Sequence, residues 1–286
     1  MKAIEIHITE KCMYDCEFCS VSKREKKEPS LVEIKKDIEL ASKNGFKKIT
    51  LSGGEPLLRN DLVEIVNYAN EYYEDVFLET HGFNLTEKKV KNLVSFGLTG
   101  IKLSCHSNNP LTYEKITGNK NSYYHTKKAL KLLKSISSKI DISTNTVITK
   151  SNYKHLREII KWIHSLNPYL EYIRVSYPRF YNFNELGNYS KENIVPLPKI
   201  KEELNLVKSL GLEKLFFENI PLCISDLESP EDFTWDVYLV KNGQITKGLE
   251  SRKFLNICDS CEKKKECQGL HKYYSLYFNE KILNPY

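Results

Sequence analysis

Ala3-Ile4-Glu5-Ile6-His7-Ile8-Thr9 runs directly into Glu10-Lys11-Cys12-Met13-Tyr14-Asp15-Cys16-Glu17-Phe18-Cys19. The first seven residues alternate apolar and polar, the period of a strand with one buried face. The next ten follow no such period and carry three cysteines. Outward from this stretch, strand-like runs recur at 47–52, 76–80, 100–105, 141–148 and 172–177. Amphipathic, helix-like stretches lie between them at 31–44, 62–73, 87–96, 122–135 and 153–165, lengths suited to βαβ crossovers. Ser30, Asn60, Thr86 and Asn152 stand where N-caps belong, and Gly45 and Gly97 where two helices should stop.

Six βα units with right-handed crossovers build a curved parallel sheet with helices outside. Six strands fall short of the eight of a closed barrel. The expected fold is therefore α/β, a partial (β/α)6 TIM-like barrel over residues 1–180, with its site at the C-terminal ends of the strands. After Pro178 the period is lost. Residues 181–212 read as a linker loop and a helix, and 213–286 as a small C-terminal domain. That domain carries a strand at 214–218 and a β-hairpin turning at Asn242-Gly243.

Composition excludes several classes. Among 286 residues, 41% are hydrophobic and 28% charged, enough for a real core and too apolar for a disordered polyelectrolyte. No apolar run approaches the roughly 18 residues of a membrane span. The N-terminus has no signal-peptide h-region, which points to a cytoplasmic protein. The net charge of +6 reads as interspersed, including 23–27 and 263–265, so solvated surfaces are expected and nucleic acid is not an expected partner.

Eight cysteines carry more information. Six fall into two tight groups, Cys12, Cys16, Cys19 and Cys258, Cys261, Cys267, with Cys105 and Cys223 between them. In a chain of this class such groups suit metals better than disulfides. Three thiolates can hold three corners of an iron–sulfur cubane and leave one iron open, unlike a closed structural site. His7 and His81 are the rivals for a fourth ligand. Cys105, inside a strand, is expected to face the helices as a buried thiol, with hydrogen-atom donation as its alternative role.

The stretch Cys12–Cys19, with Phe18 before the third cysteine, resembles the radical S-adenosylmethionine (radical SAM) superfamily. Gly53-Gly54-Glu55-Pro56 after the second strand is similar to that family's glycine-rich motif. The resemblance implies a 4Fe-4S cluster on Cys12, Cys16 and Cys19 whose open iron binds SAM. It also implies reductive cleavage of SAM to methionine and a deoxyadenosyl radical that takes a hydrogen atom from substrate. An external one-electron donor of flavodoxin or ferredoxin type follows. By position, SAM contacts are expected from Phe18, Gly53, Gly54, Glu55, Pro56, Thr80, His81, Ser104, His106 and Asn145. Ser104 and His106 should look into the barrel. Ile173 and Val175 should wall the adenine, with Arg174 on the other face.

Cys258-x2-Cys261-x5-Cys267 resembles the auxiliary-cluster domains called SPASM and twitch, although His271 stands where the fuller pattern has a further cysteine. The resemblance implies a second 4Fe-4S cluster on Cys223, Cys258, Cys261 and Cys267. Zinc on Cys258, Cys261, Cys267 and His271 is one alternative, with Cys223 then a hydrogen donor. Three cysteines holding a cluster with an open, substrate-gripping iron is another. Relatives with such domains often modify ribosomally made peptides or proteins by crosslinking, epimerisation or oxidation, and that is the expected function. A small-molecule substrate (sugar, nucleoside or cofactor precursor) is the alternative, and a non-enzymatic metal-binding interaction protein a second. A chain opening on its first strand is expected to lack a fused peptide-recognition domain, so a peptide would bind directly or arrive through a separate recognition partner. The loop at 177–189 and the aromatic tail at 273–278 offer rings to line a groove.

Overall fold

A computed structural model describes residues 3–19, 28–178, 194–225, 238–241, 243–247, 252–267, 269–271 and 274. The basic stretch 23–27, most of the loop at 177–189 and all of the aromatic tail except Tyr274 lie outside the described residues.

Nine strands form one sheet: β1 (Ala3–Thr9), β2 (Lys48–Gly53), β3 (Asp75–Thr80), β4 (Gly100–Ser104), β5 (Asp141–Val147), β6 (Tyr172–Ser176), β7 (Leu215–Glu218), β8 (Tyr238–Lys241) and β9 (Gln244–Lys247). Their order is β7-β6-β5-β4-β3-β2-β1-β8-β9. β1 to β7 are mutually parallel, β8 joins β1 in parallel, and β9 closes the hairpin antiparallel. The helices are α1 (Leu31–Lys43), α2 (Leu62–Asn70), α3 (Glu87–Ser95), α4 (Pro110–Thr117), α5 (Ser122–Lys134), α6 (Leu156–Leu166), α7 (Leu197–Lys208) and the short α8 (Leu222–Ser225). A separate pair, β10 (Arg252–Lys253) and β11 (Leu270–His271), runs antiparallel.

Among the described residues, seven parallel strands follow one another as β1 to β7 where the sequence pattern gave six, and β8 adds a further parallel strand beside β1. Ile200, Leu204 and Val207 bury one face of α7, and Leu215 and Phe217 of β7 continue the buried row of Ile173 and Val175. This is another βα unit. The expectation set it beyond the barrel because the aperiodic segment after Pro178 hides the continuation. The hairpin also pairs with β1, so the sheet draws in residues assigned to the linker and C-terminal segments.

Register divides the sheet into two faces. Ile4, Ile49 and Val76 lie side by side, as do Leu51, Leu78, Ile101 and Ile142, and all are buried beneath the helices. Each such side chain contributes about 1.5–3 kcal/mol relative to exposure. The opposite face is polar, carrying Thr50, Lys102, Ser143, Asn145, Arg174 and Ser176. Lys102 Nζ donates to Thr50 Oγ1 at 3.1 Å, and Ser176 Oγ donates to Asn145 Oδ1 at 2.9 Å.

α4 was not anticipated. It is short, but its signals are in the sequence: Asn109 accepts from the Thr112 N–H at 3.1 Å, Pro110 opens the first turn, and Gly118 ends it at φ 67°. Two expected caps also differ. Asp61 rather than Asn60 precedes α2, its carboxylate held by Arg59 at 2.8 and 2.6 Å. Asn152 heads a 3-10 turn, and its side chain serves the site instead. Ser30 caps α1 as expected, in a capping box with Glu33. Ser30→Ala is expected to lower unfolding free energy by about 1 kcal/mol, read from urea melts, with iron content unchanged.

Candidate functional site

The cysteine loop leaves β1 and is tied on both sides. On one side it meets the end of α4: the Asp15 N–H donates to Thr117 O at 2.9 Å and the Glu17 N–H to Ile116 O at 2.8 Å. On the other it meets the glycine motif: the Gly54 N–H donates to Thr9 O at 2.7 Å and the Glu55 N–H to Lys11 O at 2.8 Å. A Cβ on Gly53 would lie 2.1 Å from Thr9 O, and one on Gly54 2.2 Å from Lys11 O. Gly53 also sits at φ 127°. The missing Cβ atoms admit the backbone that carries the cysteines. Arg59 locks the same corner, donating from Nη1 to Ile8 O at 2.8 Å and Pro29 O at 2.9 Å.

Glu55 is fully buried and heads the 3-10 turn Pro56–Leu58. Its carboxylate accepts from the Leu57 N–H at 3.0 Å, the Thr80 hydroxyl at 2.6 Å and the His81 N–H at 2.8 Å. Three acceptor positions of this carboxylate are thus committed to the protein. Thr80 is likewise engaged. Burial pushes the Glu55 carboxyl up to about 7, against the pull of those three donors.

The remaining strand ends converge on the loop. The Tyr14 ring meets His81 edge-on at 4.9 Å, and its hydroxyl shares a 2.8 Å hydrogen bond with His125 Nδ1. The Phe18 ring meets His106 at 4.7 Å, and His81 and His106 stand 6.5 Å apart. Burial lowers His81 to about 4 and His106 to about 3, the latter helped by His81, so both are neutral at pH 7. His81 Nδ1, His106 Nε2 and Glu17 Oε1 are buried with no hydrogen-bond partner among the described residues. Asn152 holds the neighbouring turns together, donating to His106 O and Val147 O at 2.9 Å each. Tyr14, Glu17 and His125 are not singled out by the sequence pattern, and Asn152 reads there only as a helix cap. Tyr14 and Glu17 lie in the cysteine motif; His125 carries no local signal.

Strand six requires a correction. Ile173 and Val175 are buried in the helix-side core, while Arg174 points to the polar face. There Arg174 Nε donates to Asn145 Oδ1 at 3.3 Å and its guanidinium pairs with Glu218 at 3.2 Å. The alternation was read correctly, but its phase was not, because only register against β5 fixes it. Ser104, next to Asn145 in register, shares this polar face. Cys105 is fully buried in the helix-side core, and its thiol is raised by burial. His7 lies on β1 with Nε2 3.2 Å from Glu5 Oε1.

The eight cysteines form no disulfide. Cys16 is buried, and its thiol is raised by burial and then by Cys19 and Cys12, so the three sulfurs share one neighbourhood. The second group behaves alike: burial, then Cys267, Cys258 and Cys261, push Cys223 up to about 11. Cys267 Sγ accepts from the Leu222 N–H at 3.5 Å and the Gly269 N–H at 3.3 Å, the kind of N–H contact that tunes cluster sulfurs. Among the described residues no three His, Cys, Asp or Glu side chains gather as a site for one metal ion. Groups of neighbouring thiols suit the soft irons of iron–sulfur clusters, each iron being held by a separate thiolate. The side chain of His271, needed for the zinc alternative, lies outside the described residues.

Known proteins agree with this geometry. The sequence model of the family described as Radical SAM superfamily matches residues 6–163. A probable GTP 3',8-cyclase of Thermococcus kodakarensis is 36% identical over 118 residues, 40% of this chain and 38% of that protein. The GTP 3',8-cyclase of Aquifex aeolicus is 28% identical over 228 residues, 72% of this chain and 70% of that protein. At the higher identities, then, the match spans about two fifths of the relative's length. In structure, Streptococcus suis SuiB bound to S-adenosylmethionine superposes with TM-score 0.71 at 15% identity, covering 99% of this chain and 77% of SuiB. SuiB bound to precursor peptide SuiA gives 0.70 at 15% identity, covering 99% of this chain and 75% of SuiB. At that identity the likeness is one of fold.

Gly54→Ala is expected to push Lys11 away and displace Cys12, lowering bound iron by up to half and melting earlier than wild type. Glu55 gives a pH prediction. A carboxyl raised in the folded state binds its proton more tightly there, so stability falls as pH rises from about 4.5 to about 7. Glu55→Gln is expected to be less stable throughout, since a donor replaces one acceptor, and to flatten that fall in denaturant titrations from pH 4 to 8.

Proposed function

Because the chain belongs to the radical SAM superfamily, and is an enzyme using a 4Fe-4S cluster and S-adenosylmethionine, we propose that Cys12, Cys16 and Cys19 hold that cluster. When bound, this pair of cofactors supplies one-electron cleavage of the sulfonium and a deoxyadenosyl radical that abstracts hydrogen from substrate. The protein's part is placement. The Gly53-Gly54 clasp and the α4 contacts fix the three sulfurs. His81 Nδ1, His106 Nε2 and Glu17 Oε1, buried and unpartnered, are the polar atoms we assign to ligand contacts, with Phe18 and Tyr14 excluding water.

We assign an auxiliary, twitch-like cluster to Cys223, Cys258, Cys261 and Cys267. Four protein thiolates leave no open iron, so this group would relay electrons or staple the C-terminal segment rather than grip substrate. The mutual crowding of all four thiols supports this set over one that leaves Cys223 as a separate hydrogen donor. In domain terms, the radical SAM unit runs from residue 3 through β7, and the auxiliary unit from α8 through β11, with the hairpin shared.

For the substrate, the reading we favour is a small polar molecule of nucleotide type. It is carried by the polar barrel face of Lys102, Ser104, Asn145, Arg174 and Glu218, and by relatives named GTP 3',8-cyclase. The second reading is a ribosomally made peptide, met directly or through a recognition partner. It is favoured by the fold shared along 99% of the chain with SuiB, one of whose structures holds its precursor peptide.

Anaerobic reconstitution is expected to give roughly eight irons per chain, two cubanes. Cys16→Ala should retain about four of them and form no deoxyadenosine. Cys223→Ser should also lose about four irons; full iron with an altered product would return Cys223 to hydrogen donation. Deoxyadenosine formation stimulated by purine nucleotides supports the first substrate reading, and stimulation only by peptides supports the second.

A further inference from the structure

We propose that the lysine-rich face of α4 and α5 docks the small acidic protein that delivers the reducing electron. His125 of α5 joins that face to Tyr14 of the Cys12–Cys19 loop. The inference rests on the family's need for a reductant and goes beyond the proposed function in locating its entry.

The chain's charge is not spread evenly. Residues 110–140 hold seven lysines and one acid, Glu114, so this segment alone carries +6 and the rest of the chain balances. α5 has four lysines and no acid in thirteen residues. Lys115, Lys120, Lys128, Lys131 and Lys134 are exposed, and none enters an ion pair among the described residues. On other helices acids stand among the lysines, and Lys35 pairs with Glu64, Lys43 with Glu39 and Lys91 with Glu87. Two large apolar side chains stand on the same helices, Leu111 at 77% and Tyr124 at 58% exposure. Exposed apolar side chains among unneutralised cations give this face area to bury and a positive potential that attracts a partner of opposite charge.

Position completes the argument. The end of α4 bonds the cysteine loop through Thr117 O and Ile116 O. From the first turn of α5, His125 reaches Tyr14 at 2.8 Å, their rings parallel at 6.4 Å. Tyr14 lies between Cys12 and Cys16 in sequence, and its N–H donates to Cys12 Sγ at 3.4 Å. The basic surface and the first cluster's ligands are thus joined by one hydrogen bond and one backbone seam. The step is a single electron transfer: the carrier is oxidised by one electron, the cluster reduced by one, and no bond is made or broken. An acidic carrier is complementary to this face, and its encounter is electrostatically steered.

The test uses the reconstituted enzyme with an acidic flavodoxin as probe. Lys120→Glu/Lys128→Glu/Lys131→Glu should weaken flavodoxin binding roughly tenfold or more at low salt. Rising salt should weaken the wild type in the same direction. Lys36→Glu/Lys88→Glu/Lys161→Glu, on other helices, should bind as wild type. Dithionite should bleach the cluster equally in all three proteins. Equal affinity in the two triple variants overturns the proposal. So does a single-stranded oligonucleotide that binds the wild type more tightly than flavodoxin and is lost with the first variant. A cluster that dithionite does not reduce would overturn the proposed function instead, while the binding comparison still decides the docking face.

Discussion

Two backbone hydrogen bonds, from Gly54 to Thr9 and from Glu55 to Lys11, hold the cysteine loop against the second strand. Everything else at the site is arranged around that clasp. It needs two residues without a Cβ, because both positions lie about 2 Å from a carbonyl oxygen once a Cβ is added. It also delivers the Glu55 carboxylate to the interior, where it gathers the Leu57, Thr80 and His81 donors. One turn thus joins the ends of β1, β2 and β3. A buried carboxylate is costly unless bonded, and here the bonding is the means by which three loops are held in one geometry.

The second anchor is α4. Its last carbonyls would be unsatisfied at a free helix end, and two of them are instead filled by the Asp15 and Glu17 N–H groups. The cysteine loop is therefore held at both flanks by backbone, not by side chains that could change rotamer. The histidines above it are neutral, desolvated and short of partners, so they are ready to meet a polar ligand without first breaking an internal bond. That readiness stands beside the crowded thiols of the cysteine loop.

The thiols of Cys223, Cys258, Cys261 and Cys267 come from distant chain segments into one neighbourhood. Cys223 is 35 residues upstream of Cys258. The 3-10 turn at Asn256–Ser260 and the N–H groups of Leu222 and Gly269 bring them together. The hairpin between them is drawn into the main sheet beside β1, so the auxiliary segment and the barrel share a hydrogen-bonded edge.

By itself, the sequence determined what local periodicity and covalent spacing can encode: alternating strands and helices, the Ser30 and Thr86 caps, the cysteine triad and the glycine turn after β2. It also placed Cys105 among the helices, since one residue's shift flips a strand side chain to the other face. Only the tertiary structure decided which way strand six faces, because the phase of Ile173 and Val175 is set by register with β5, a contact far away in sequence. The same holds for β7, which joins the barrel because its buried row continues that of β6, for the bond from His125 to Tyr14 and for the bond from Asn152 to His106, each spanning more than 40 residues. Non-local hydrogen bonds leave no mark at the positions that make them, so those roles became visible only when the strands were laid side by side.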